Sequence, residues 1–124
     1  MNTNKIETTL GGVNNDESIA LLTAKNEILD YKDNKKVSDI PIGTKYTVAL
    51  PGNRFNLLTV KIMGADPIPN ITDEQISEAL SAHKFIWVRF TNCKVTIYKI
   101  GGDMVMSASA KSVELAKPEG TKQP

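Results

Sequence analysis

Residues that carry chemistry are scarce in this chain. It has one cysteine, Cys93, and one histidine, His83. A lone cysteine excludes an internal disulfide framework and fits a reducing compartment. The two residues fall on different predicted elements, so they do not make a nucleophile with a positioned base. No Cys/His cluster has zinc spacing. Gly11-Gly12 and Gly101-Gly102 lack the flanking pattern of a phosphate loop. Long apolar runs are also missing: none approaches the roughly 20 residues a spanning helix needs. The opening Met1-Asn2-Thr3-Asn4-Lys5 is polar and has no apolar segment of a secretory signal. These absences predict a non-enzymatic, cytoplasmic protein without metal, cofactor or membrane contact.

What is present suits one small domain. The chain has 124 residues, 40% of them apolar, and a formal net charge of +1. A near-neutral total implies no anionic partner by itself, so any such signal lies in the distribution of charge. Residues 1–16 are rich in Asn, Thr and Gly and are expected to be disordered, as are residues 117–124. The domain is expected to span residues 17–116.

Within it, hydrophobic periodicity predicts short strands. Ala20–Tyr31 reads as a strand leading into the polar turn Lys32-Asp33-Asn34-Lys35-Lys36, although Ile19, Leu22 and Leu29 also fall near one helical face. In Gly43–Leu50, Tyr46, Val48 and Leu50 alternate with Lys45, Thr47 and Ala49. In Leu57–Met63, Leu58, Val60 and Ile62 alternate with Thr59 and Lys61. A helix over Thr72–His83 is the clearest local signal. Thr72 and Gln75 form a capping box, Ile71 and Ile76 a hydrophobic staple, and Asp73 and Glu74 complement the helix dipole. Ile76, Ala79, Leu80 and His83 then follow one buried face, and His83 reads as a packed or C-terminal residue of that helix. Phe85–Phe90 and Val95–Ile100 read as strands joined by a bulge or bend at Thr91-Asn92, Gly101-Gly102 as a hairpin turn, and Met104–Leu115 as the last strand. Cys93 reads as a small buried side chain.

Three strands, a helix and two strands give a mainly β (β-rich α+β) fold. The order fits a five-stranded antiparallel OB-like barrel with one helix between strands 3 and 4, and an open sheet with one helix packed on it reads identically.

The charge distribution carries the functional signal. From Ala79 to Gly102 no residue is acidic, while Lys84, Arg89, Lys94 and Lys99 are interleaved with Phe85, Trp87, Phe90 and Tyr98. Alternation puts Phe85, Trp87 and Arg89 on one strand face, Lys45 and Lys61 on the non-core faces of their strands, and Arg54-Phe55 in the loop between those strands. Aromatic platforms beside cations hold single-stranded nucleic acid, because bases stack on rings while cations track phosphates. The candidate nucleic-acid-binding residues are therefore Lys45, Arg54, Phe55, Lys61, Phe85, Trp87, Arg89, Lys94, Tyr98 and Lys99, with single-stranded DNA or RNA as partner. Edge lysines also block edge-to-edge strand pairing, and a tryptophan on a sheet also packs under loops. A protein–protein module or homo-oligomer is thus the other reading, and a register slip at Asn92 would exchange the two faces.

The segments Leu29-Asp30-Tyr31-Lys32-Asp33-Asn34-Lys35-Lys36, Tyr46-Thr47-Val48-Ala49-Leu50-Pro51, Val60-Lys61-Ile62, Phe90-Thr91-Asn92 and Ser109-Ala110-Lys111-Ser112-Val113 resemble short strings in small accessory proteins of Gram-positive conjugative plasmids, integrative elements and phages. The resemblance covers about Leu21–Leu115. It implies no catalytic residue. It does imply a single-stranded DNA partner, together with other plasmid-processing proteins such as a relaxase or helicase.

Overall fold

The computed structural model describes residues 5–37 and 39–117. In chain order the elements are β1 (Lys5–Thr9), α1 (Leu10–Val13), β2 (Ala20–Ile28), β3 (Tyr31–Lys32), β4 (Lys35–Lys36), β5 (Gly43–Leu50), a 3₁₀ turn at Pro51–Asn53, β6 (Asn56–Met63), α2 (Asp73–Ser81), β7 (Trp87–Thr91), β8 (Lys94–Ile100), β9 (Asp103–Ser109) and β10 (Ser112–Ala116). Eight strands form one mixed sheet in the order β1-β8-β9-β6-β5-β2-β7-β10, and β3 and β4 pair separately.

The organising unit is a bent hairpin. β7 and β8 form one arm, β9 and β10 the other, and a single register runs through both: Trp87 faces Ala116, Thr91 faces Ser112, Lys94 faces Ser109 and Ile100 faces Asp103. Gly101 and Gly102 close it at φ of +57° and +97°, the positive pair that a type I′ turn requires. The kink lies at Asn92, which sits at φ 51°, opposite Lys111, whose N–H donates to Thr91 O at 2.9 Å. Here the inward-facing parity switches. Val88 and Phe90 face the core before the kink, and Cys93 and Val95 after it. The bend lets the hairpin reach opposite edges of the antiparallel meander β2–β5–β6: β7 pairs with β2, and β9 runs parallel to β6 through Val60↔Ala108 and Lys61↔Ser109. The sheet therefore curls into a half-barrel.

This corrects the five-stranded OB-like barrel. The chain is mainly β, with the long helix after the third long strand as its order implies, but β1 and β10 remain as sheet ends and the strand count is higher. The last predicted strand is cut in two at Ala110-Lys111 by the kink. The turn at Asp33-Asn34, with φ of 53° and 66°, closes a separate small hairpin. β1 and α1 arise within residues 5–13, where composition predicts disorder. β1 has Ile6 as its one large apolar residue and is held by backbone pairing, from Lys5↔Tyr98 to Thr9↔Lys94. Residues 1–4 and most of the predicted tail, 118–124, lie outside the described residues.

The core fills the inside of the curl. Leu22, Tyr46, Val48, Leu50, Leu58, Val60, Ile62, Val88 and Val95 line it, and Ile76 of α2 plugs it from the side. Fully burying one such side chain is worth roughly 1.5–3 kcal/mol. The capping box forms as the sequence implies: Gln75 N–H donates to Thr72 Oγ1 at 3.1 Å, and Thr72 N–H donates to Gln75 Oε1 at 2.9 Å. The far end differs. Lys84 N–H donates to Ala79 O at 2.8 Å and His83 N–H to Leu80 O at 3.2 Å, which is a Schellman motif with His83 in the left-handed position at φ 59°. His83 is thus exposed beyond the helix end, its ring 6.2 Å from that of Phe85. Of the packed and C-terminal readings the C-terminal one holds, because the helix stops at Ser81.

Two polar groups secure this frame. Asn14 is fully buried; its Nδ2 donates to Glu17 O at 2.9 Å and to Ile19 O at 3.0 Å, while its Oδ1 accepts from Gly52 N–H at 2.8 Å. Lys25 follows a bulge between Leu22 and Ala24 that turns it toward Tyr46. Its ammonium pairs with Asp66 and donates to Ile68 O and Ile71 O, tying the 64–72 loop to the sheet. Asp66 also accepts from the Tyr46 hydroxyl. Burial alone pushes the Asp66 carboxyl up, but the Lys25 ammonium, the Tyr46 hydroxyl and the Ile68 N–H outweigh it and hold the group below its ordinary value. Burial, then the Asp66 hydrogen bond and charge, push the Tyr46 phenol far above its usual range.

Candidate nucleic-acid interface

Register alone determines which side chains share the outer face of the sheet. Directly opposed residues point the same way, and alternate residues point apart. Tyr46, Val48, Leu58, Val60 and Ile62 face the core, so Lys45, Thr47, Thr59 and Lys61 face out. Following the partners across strands gives Thr9↔Lys94, Lys94↔Ser109, Lys61↔Ser109, Lys45↔Lys61 and Asn26↔Lys45. Lys94, Lys61 and Lys45 therefore stand in one row running across the strands, with hydroxyl and amide side chains between and beyond them. At about 4.8 Å per strand, the row from Lys94 to Lys45 spans about 14 Å.

None of these lysines has an acidic partner among the described residues, where the ion pairs are Lys25–Asp66, Lys36–Asp39 and Arg89–Glu114. Lys45 directly opposite Lys61 is a like-charge cross-strand pair, an arrangement that costs stability in the free protein. A hollow of about 540 Å³ lies along the row, lined by Lys61, Lys94, Thr96, Ser107, Ser109 and, at the β1 edge, Glu7. Asp73, Glu74 and Glu78 sit instead on α2, whose Ile76 enters the core from the other side of the sheet. The row is thus locally cationic although the net charge of the chain is near zero.

The other predicted residues are less concentrated. Trp87 and Arg89 lie on the same outer face, because Trp87 opposes Leu21, which opposes Ala49. Arg89 is engaged by Glu114 at 3.4 Å. Phe85 precedes β7 and is not on the strand, yet it shares a shallow hollow with Trp87, Arg89 and Leu115. Tyr98 is on the outer face of β8, opposite Lys5 and Val105. Lys99, opposite Met104, is on the other face and away from the row. Arg54 and Phe55 adopt left-handed backbone at φ 55° and 59° at the tip of the β5–β6 turn. They stand about 17 Å along the strand from Lys45. The face therefore gathers Lys45, Lys61, Lys94, Tyr98, Trp87 and Arg89, and separates Arg54, Phe55 and Lys99 from them.

The hydroxyls of Thr9, Thr47, Thr59, Thr96, Ser107 and Ser109 escaped sequence reasoning. The available signal was the alternation of small polar residues with Ala108 in Ser107-Ala108-Ser109, where Ala108 is buried and both serines are exposed. Cys93 is buried as expected, and burial pushes its thiol up to about 11. No cluster of metal-binding side chains occurs among the described residues. The fold and face define a β-rich protein with a cationic, hydroxyl-lined outer sheet surface. No family model, curated protein or solved structure matches the chain.

Proposed function

We propose that this is a non-enzymatic, single-stranded nucleic-acid-binding protein that holds the phosphate backbone along Lys94, Lys61 and Lys45. The carrying observation is that row, which has no acidic partner among the described residues and sets Lys45 directly against Lys61. Three cations kept together at a cost are relieved by an anionic chain lying across them, and the surrounding hydroxyls donate to its oxygens. The reading agrees with the resemblance to mobile-element accessory proteins, some of which assist a relaxase and helicase during plasmid processing, a role that implies a single-stranded DNA partner.

Three phosphate contacts on a single strand give a slope of about −2 for log K against log salt, so affinity falls about twentyfold from 50 to 200 mM salt. Fluorescence anisotropy with labelled oligo-dT measures this. The combined variant Lys45→Gln, Lys61→Gln, Lys94→Gln loses most of the binding and nearly all of the slope. No binding at low salt, or an unchanged triple variant, overturns the proposal. A second reading, a homo-oligomer or protein–protein module, draws on Ile6 and Met104, which stay exposed on the face of β1 and β9 opposite the lysine row. A concentration-dependent multimer in light scattering, unaffected by nucleic acid, would support it.

A further inference from the structure

The outer face has a second row parallel to the lysines. Leu57 opposes Ala49, Ala49 opposes Leu21, and Leu21 opposes Trp87. This apolar row crosses β6, β5, β2 and β7 on the same side as Lys61 and Lys45. Between the two rows, Thr59 faces Thr47, with their hydroxyls 3.4 Å apart. Each step along β5 (Lys45, Thr47, Ala49) and along β6 (Lys61, Thr59, Leu57) is two residues, or about 6.8 Å. Leu57 is 62% exposed near the turn end of β6, outside the stretch that pairs with β9, and Ala49 beside it is 5% exposed and forms a floor. An exposed leucine flanking a cationic row on a sheet face is unexplained by the core, which Leu58 on the opposite face serves instead.

We infer that the bound strand lies with its phosphates on the lysine row, its sugars over the threonine pair and its bases on the shelf formed by Leu57, Ala49, Leu21 and Trp87. The inference rests on the proposed function and adds the source of its selectivity. A single strand presents unstacked base faces to an apolar shelf, whereas a duplex encloses them and a simple polyanion has none. Lysine stems lean along the surface and shorten the distance that the nucleotide must bridge. The indole N–H of Trp87 is the shelf's one hydrogen-bonding side-chain group, so recognition rests on stacking and apolar contact, which tolerate every base.

The test compares oligo-dT with an abasic oligonucleotide of equal length, using wild-type protein and Leu57→Asn, at one low salt concentration. Wild type binds dT about tenfold or more tightly than the abasic strand. Leu57→Asn weakens dT binding roughly fivefold, leaves abasic binding unchanged and keeps the salt slope, since no charge is removed. Trp87 fluorescence responds to dT and not to the abasic strand, an independent reading that requires no variant. Equal wild-type affinity for the two strands, or dT binding untouched by Leu57→Asn, overturns the shelf while leaving the lysine row standing. Binding of neither strand by wild type removes both.

Discussion

Asn14 offers the sharpest test of how this fold is held. Its side chain satisfies two carbonyls, Glu17 O and Ile19 O, and receives Gly52 N–H, so Asn14→Ala leaves three backbone groups without their partner. A buried group deprived of its hydrogen bond costs about 1–3 kcal/mol. Taking about 2 for the fully buried bond to Ile19 and about 1 for each part-buried bond, the loss is about 4 kcal/mol. That is a large share of the 5–15 kcal/mol typical of a domain. At roughly 4 °C per kcal/mol for a chain of this size, Tm falls by about 16 °C. Differential scanning calorimetry is the assay. Asn14→Asp sharpens it, because the carboxylate keeps the acceptor for Gly52 but faces two carbonyl oxygens. Its folded-state pKa is therefore raised, so this variant is most stable in acid and loses stability as pH rises through that pKa. Gly52→Ala acts on the same contact, since a Cβ there would lie 1.9 Å from Asn14 O. Its effect should not add to that of Asn14→Ala. A fall of less than about 4 °C in Asn14→Ala, or full additivity, would refute the staple.

Other perturbations have definite signs. His83→Gly relieves the left-handed C′ position and should stabilise by about 1 kcal/mol in thermal melts; a lower Tm would count against the Schellman geometry. Lys61→Glu turns the like pair with Lys45 into an opposite pair, so at low salt it should stabilise the free protein by about 0.5 kcal/mol while weakening oligonucleotide binding. If it destabilises instead, Lys45 and Lys61 are not neighbours. Asp66 is held below its ordinary pKa, so its contribution is present above the unfolded value near 3.9 and is lost as pH falls through the lower folded value. Asp66→Asn should therefore flatten the acid limb of a stability profile that remains steep in wild type. With its thiol pushed up to about 11 and buried, Cys93 should resist thiol reagents at pH 8 until denaturant is added; rapid labelling of native protein would contradict its burial.

Legibility in the sequence followed how local each signal is. The alternation in Gly43–Leu50, the Thr72/Gln75 box and the Gly101-Gly102 turn each lie within a few residues, and all three appear as read. β1 escaped because its stability comes from pairing with β8 about 90 residues away, and Lys5-Ile6-Glu7-Thr8-Thr9 carries almost no hydrophobic pattern of its own. His83 stood between a packed and a C-terminal position because spacing says nothing about where a helix stops. Lys45 and Lys61 were individually visible as outward lysines, but their alignment with Lys94 depends on the parallel contact of β6 with β9 and on the kink at Asn92. The pairing of Arg89 with Glu114 was not legible, because the two are 25 residues apart.

The bent hairpin also bears on how the chain comes off the ribosome. Its two arms meet across a two-residue turn and can zip as soon as residue 116 is made. β1, synthesised before the rest of the sheet, has no partner until β8 exists. Non-local pairings form late, so this early strand is among the last to be protected. During synthesis β1 waits as an open strand, and pulse-labelled hydrogen exchange should find the β1 amides that bond to β8 gaining protection after Val95 and Ala108.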